Sequence, residues 1–178
     1  MTHPDELYQS WLSEGSYFNM MLDCGGKYNQ WVQNALMYLP MKVFDDHKEN
    51  LIFSSTAERD GCRMARHSCE NREVILLSER ILPKKGAAED QKEVRYFIFV
   101  VLHEIVHAIK KHKSPKFDSL SASESQAQED DADSLALDWF NQHIEALNNT
   151  YLKSLTMEEV DDARERNQRR MEEQYNGG

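Results

Sequence analysis

Residues 100–112 read VVLHEIVHAIKKH, with His103 and His107 four positions apart and Glu104 directly after the first. On a helix turning about 100° per residue, His107 lies about 40° from His103, one turn further on. Two neutral imidazoles so placed can reach one metal ion, and zinc takes such nitrogens. A third protein ligand leaves the fourth position for water, whose pKa the metal lowers to about 7. Glu104, about 100° round from His103, can take the water proton and deliver it to a leaving amine. Ile98, Val101, Leu102, Ile105, Val106 and Ile109 lie on the far side, so the histidines face away from the main apolar stripe. The plainer reading is a core helix with two satisfied histidines, and five letters alone do not exclude it.

The third ligand decides between them. His112 lies about 180° from His103 and points away unless the helix ends first. A better source is the segment QEDDADSLALDW, in which Glu129 and Asp133 are four apart. Ala132, Ala136 and Phe140 share their face, and the small alanines allow close helix packing. Glu129 can then complete the metal site while Asp133 accepts the outer N–H of a liganding histidine, which fixes the ring and strengthens the ligand. Asp130 could ligate instead, but it has no acid four positions on. The run Glu129–Asp131 could also be an exposed first turn of a helix, where carboxylates suit the dipole. His143 shares the Glu129 face but lies about 21 Å along the helix, too far to ligate.

HEIVH followed by EDDAD resembles the gluzincin signature of thermolysin-like zinc metallopeptidases. It is also similar to the small gluzincins, among them the ImmA/IrrE-type peptidases and the minigluzincins. The resemblance covers about 72–140. It implies one zinc ion held by His103, His107 and Glu129, with Glu104 as general base and Asp133 as the histidine's partner. It implies a zincin-like α+β fold: a small sheet packed on the HExxH helix and on a second, glutamate-bearing helix. In such folds the strand before the active-site helix, here EVILLSERIL, borders the cleft and pairs with an extended substrate; an ordinary internal strand is the alternative. Related enzymes stabilise the oxyanion with a Tyr or His beyond the third ligand, which makes Tyr151 and His143 the candidates here.

The elements that must position these residues read as follows. Residues 1–40 are expected to be helical, with Leu7, Tyr8, Trp11 and Leu12 in the first stretch and Trp31, Ala35 and Tyr38 after the CGG break; Pro40 ends this part. Residues 41–82 hold MKVFDD, NLIFSSTAE, CRMARH and REVILLSERIL, which predict three or four strands in a small, mainly antiparallel sheet. The active-site helix spans 90–112 and the glutamate helix 123–148. Together these make one domain, 1–150, followed by a charged helix or arm over 151–178.

Composition narrows the functions. A chain of 178 residues with a formal charge of −10 has no basic footprint for nucleic acid or anionic lipid. Cys24, Cys62 and Cys69 are scattered and odd in number, which suggests reduced thiols. No signal peptide or membrane-spanning run is visible, so the cytoplasm, or a host cytoplasm after delivery, is the expected location. The expected activity is zinc-dependent hydrolysis of a protein or peptide, and the resemblance implies a specific intracellular protein as substrate. The alternative is a catalytically silent, peptidase-like module that holds a partner protein and keeps its metal as a structural clamp. The intact Glu104 argues against that alternative. Oligomeric state is not legible.

Overall fold

The computed structural model describes residues 21–23, 26–56, 61–64, 73–83, 91–113, 118–146 and 152–176. In chain order these form β1 (Met21–Asp23), α1 (Gly26–Leu36), α2 (Met41–His47), β2 (Leu51–Thr56), β3 (Gly61–Met64), β4 (Glu73–Ser78), a 3-10 turn (Glu79–Ile81), α3 (Gln91–Ile109), α4 (Ala122–Ala146) and α5 (Met157–Asn176). No helix among the described residues is long and apolar enough to cross a membrane. The helix expected through Leu7, Tyr8, Trp11 and Leu12 lies outside the described residues.

The sheet corrects the mainly antiparallel expectation. Its order is β1-β2-β4-β3; β1–β2 and β2–β4 are parallel, and only β3–β4 is antiparallel. Two local features set the β1–β2 part of this arrangement. Met21–Asp23 is a strand rather than the end of a helix, and MKVFDD is α2 rather than a strand. Pro40 does end the first helical stretch, but it also starts the next one. It stands at the N-cap of α2 with φ −55° and ψ 135°, and its carbonyl accepts from Phe44 N–H. Proline suits the start of a helix, where its missing N–H costs nothing. Two helices therefore fill the connection from β1 to β2, and a helical crossover returns the chain parallel. β2 shows the matching signature, three successive buried apolar residues Leu51, Ile52 and Phe53.

α3 is the central element. Its buried residues run almost continuously from Arg95 to Val106, apolar nearly all round. It packs on β3, β4, α1, α4 and α5. α1 turns Tyr28, Val32, Ala35 and Leu36 inward, and the Tyr28 hydroxyl donates to the Ser78 carbonyl at 2.6 Å, tying α1 to the end of β4. α4 begins with a reciprocal cap. Ser121 N–H donates to Glu124 Oε2 (2.9 Å), and Glu124 N–H donates to Ser121 Oγ (3.2 Å). Its buried residues Ala132, Ala136 and Phe140 are fully covered where it meets α3.

The charged tail forms a helix because it carries the same cap. Thr156 N–H donates to Glu159 Oε2, and Glu159 N–H donates to Thr156 Oγ1. Asn141 grips the approach to it, donating to the Leu155 carbonyl and accepting from the Leu155 N–H. Leu152, Leu155, Val160 and Ala163 are buried in the common core. Glu159 also meets the buried Arg95 with both oxygens, at 3.0 and 2.7 Å. Arg95 holds the Glu159 carboxyl below its ordinary value of 4.5. A depressed folded pKa means that this stabilisation is present above the ordinary value and is lost as pH falls through the lowered one. Glu159→Gln keeps the cap, since glutamine serves there too. It should cost about 1–2 kcal/mol by replacing a charged acceptor with a neutral one, and it should flatten the acid limb of stability. Urea unfolding of both proteins at pH 7 and pH 3.5 measures this.

Candidate metal centre

Two helices bring the expected residues to one point. His103 and His107 lie on the same side of α3, their Nε2 atoms 3.0 Å apart. Glu129, two turns into α4, reaches across: its Oε2 is 3.5 Å from His103 Nε2 and its Oε1 is 3.7 Å from His107 Nε2. Three ligands at about 2.0–2.1 Å on a tetrahedron stand about 3.3 Å from one another, and the observed separations bracket that value. His103, His107 and Glu129 could therefore hold a metal ion, with all three ligand atoms within 4.8 Å of one another.

The chemistry of the donor set agrees. Asp133 Oδ1 lies 2.8 Å from His103 Nδ1, though the N–H does not point squarely at it, so the contact is ionic more than a well-aligned hydrogen bond. With Nδ1 carrying its proton toward Asp133, the Nε2 of His103 presents a lone pair to the Nε2 of His107 and to a carboxylate. Three electron-rich atoms meeting at a partly buried point call for a cation. Without a metal that cation is a proton: burial opposes charge on His103, but the contacts with Asp133 and then Glu129 outweigh it and push its pKa up to about 9. The same histidines hold the Glu129 carboxyl well below the usual range, His103 most strongly.

Glu104 is 7% exposed. Burial pushes its carboxyl up, against the opposing influence of His103 and His107. It is a proton acceptor kept out of bulk water beside the cluster.

Arg164, on α5, was not legible as part of the site. Its guanidinium forks onto Asp133, Nη1 to Oδ2 at 2.8 Å and Nη2 to Oδ1 at 2.5 Å, and it lies 5.7 Å over the Phe99 ring. Burial alone would raise the Asp133 carboxyl, but the contact with His103 and the hydrogen bonds from Arg164 bring it below its usual value. Asp133 is thus an ionised acceptor held by Arg164 on one side and facing His103 on the other. Arg164→Ala should cost about 1–2 kcal/mol, a charge-assisted pair discounted for partial exposure. It should also weaken metal retention up to about 10-fold through the loosened histidine. Denaturant titration and chelator competition read the two effects.

Other expected residues are placed elsewhere. Asp130 is exposed and accepts from Gln126 at 2.7 Å, so it does not substitute for Glu129. The acid run is not a first helical turn, because α4 starts at Ala122. His143 packs its ring on Tyr38, with centroids 4.4 Å apart, near the far end of α4; it is not brought to the cluster. Tyr151 lies outside the described residues. β4 is flanked by β2 and β3, so it is an internal strand and has no open edge for a peptide.

His112 is not in the converging cluster, although the helix does end before it. α3 stops at Ile109, and Lys111 takes a left-handed conformation with φ 54°. Lys111 N–H donates to Ala108 O (3.2 Å) and His112 N–H to His107 O (3.0 Å), the bonds of a Schellman turn. Glycine is the usual residue at the left-handed position, and lysine there costs roughly 1–2 kcal/mol. The turn lays His112 over His107, Nδ1 to Nδ1 at 2.9 Å, while His112 Nε2 lies 3.2 Å from Asp131 Oδ2.

Comparison with protein-family models, with curated proteins and with solved structures finds no match.

Proposed function

We propose that this chain is a zinc-dependent metallopeptidase of gluzincin type, with a zincin-like fold, acting on an intracellular protein or peptide. The observation that carries the reading is the buried Glu104 carboxyl beside the point where two imidazoles and the Glu129 carboxylate converge. A purely structural metal site has no use for such a carboxylate.

His103, His107 and Glu129 would hold the ion, a His2Glu set suited to zinc. When bound, zinc supplies Lewis acidity, making water acidic near neutral pH and polarising a peptide carbonyl. Glu104 takes the proton from the attacking water on a side-chain oxygen and delivers it to the departing nitrogen. Its raised pKa suits both halves of that transfer. Asp133, clamped by Arg164, holds the His103 ring in place. An extended peptide can pair only with an outer strand, and β3, which packs on α3, is the outer strand on that side of the described sheet.

The test is cleavage of a diverse peptide library by the zinc-loaded protein, with and without a chelator. Chelator-sensitive cleavage supports the reading. Metal uptake with no cleavage of any peptide, or of proteins from the native cell, overturns it in favour of a protein-binding module with a structural metal.

A further inference from the structure

Among the described residues no carboxylate stands at the Nδ1 of His107 as Asp133 stands at that of His103; His112 faces it instead. We propose that His112 and Asp131 form a positioning relay behind His107, so that each liganding imidazole is backed by an acid from α4, Asp133 directly and Asp131 through His112. The inference rests on the metal-site reading above and adds to it two residues outside the ligand set.

The hydrogen-bond chemistry runs one way. Asp131 is an acceptor, so the Nε2 of His112 that faces it at 3.2 Å carries the proton. In the neutral ring the Nδ1 is then an acceptor. It lies 2.9 Å from the Nδ1 of His107, which must donate. A proton on His107 Nδ1 leaves its Nε2 bare, and Nε2 is the atom 3.0 Å from His103 Nε2. The relay thus selects the one neutral form of His107 that can bind a metal at this point, and it orients the ring. Lys110 steadies the far end, its Nζ 3.2 Å from the same Asp131 oxygen. Both bonds depend on the turn at Lys111. On a continuing helix His112 would stand about 140° from His107, and the two rings could not meet. A left-handed lysine in place of the customary glycine marks backbone held against its preference where the site needs it.

The relay also explains the order of the acids in EDDAD. Glu129 faces the two Nε2 atoms, Asp131 faces His112, and Asp133 faces His103. Asp130 turns away to Gln126. Asp130 and Asp131 carry the same charge one residue apart, which makes Asp130 the internal control.

Zinc affinity is measured by competition with a chromophoric chelator, and the cobalt-loaded proteins are compared by their visible absorption. His112→Ala should still take up one ion, with affinity lowered about 10–100-fold and altered cobalt bands. Asp131→Asn should shift affinity in the same direction by less, and Asp130→Asn should match the unaltered protein. His112→Asn, which restores a side-chain acceptor, should recover part of the loss. Asp131 is exposed enough that its replacement leaves the fold intact should His112→Ala misfold. If the unaltered protein binds metal and both His112→Ala and Asp131→Asn bind it equally well, the relay is wrong and the metal site stands. A loss in His112→Ala that Asp131→Asn does not share and His112→Asn does not mend marks a packing role and also overturns it. If the unaltered protein takes up neither zinc nor cobalt, the site and the relay fall together.

Discussion

Replacing Glu129 by alanine should give a folded protein that no longer retains metal. Almost half of the Glu129 side chain is exposed (47%), so its removal opens no cavity. Alanine is the best helix former, and position 129 lies within α4. The change should therefore leave the helical signal and unfolding midpoint of the metal-free protein close to their original values. Metal retention should fall by more than the about 10–100-fold expected from losing a residue behind a ligand. The reason is that two histidines alone leave half of a tetrahedral coordination sphere to solvent. Elemental analysis after dialysis reads this as a drop from one zinc per chain to nearly none. Retention of a full equivalent by the alanine variant would mean that Glu129 is not a ligand.

The second large effect separates binding from chemistry. Glu104→Gln keeps the size and shape of a side chain that is 7% exposed, so it should neither loosen α3 nor disturb the ligands. The amide cannot accept the water proton. Zinc content should remain at one per chain, while kcat/KM on the best library peptide falls by about 10²–10⁴-fold, the usual worth of a positioned proton-transfer group. The loss should appear in kcat rather than KM, because in the proposed reaction Glu104 acts on the reacting water and not on the resting peptide. Equal turnover by the glutamine variant would remove Glu104 from the reaction and with it the proposed mechanism.

These two outcomes concern residues that local patterns made visible. His103 and His107 share a helical phase, and Glu129 and Asp133 share another. Each pair is therefore set by its own helix, whatever the rest of the fold does. The alanines at 132 and 136 announced the close packing that brings the helices together. What local pattern could not supply was anything that depends on where the chain turns. The parallel β1–β2 pairing hangs on Pro40 starting a helix, and the Val43–Phe44 pair gives that segment the look of a strand. His112 was set aside on the assumption of a continuing helix, and nothing in KKH advertises a left-handed turn at Lys111. Arg164 lies in a charge-dense tail, 31 residues beyond the Asp133 it clamps. The signal that this tail is an ordered helix is Thr156-x-x-Glu159, a capping box. In EDDAD the local pattern separates ligand, partner and surplus, whereas the structure turns three of the acids to histidines: Glu129 to His103 and His107, Asp133 to His103, and Asp131 to His112.

The account rests on one ion bound where α3 and α4 meet, and anomalous diffraction at the zinc edge from crystals of the zinc-loaded protein tests it most directly. The predicted result is a single strong peak about 2.0–2.1 Å from His103 Nε2 and His107 Nε2 and about 2.0–2.2 Å from a Glu129 oxygen. A peak elsewhere with that point empty, or no peak at all under zinc-replete conditions, would contradict it.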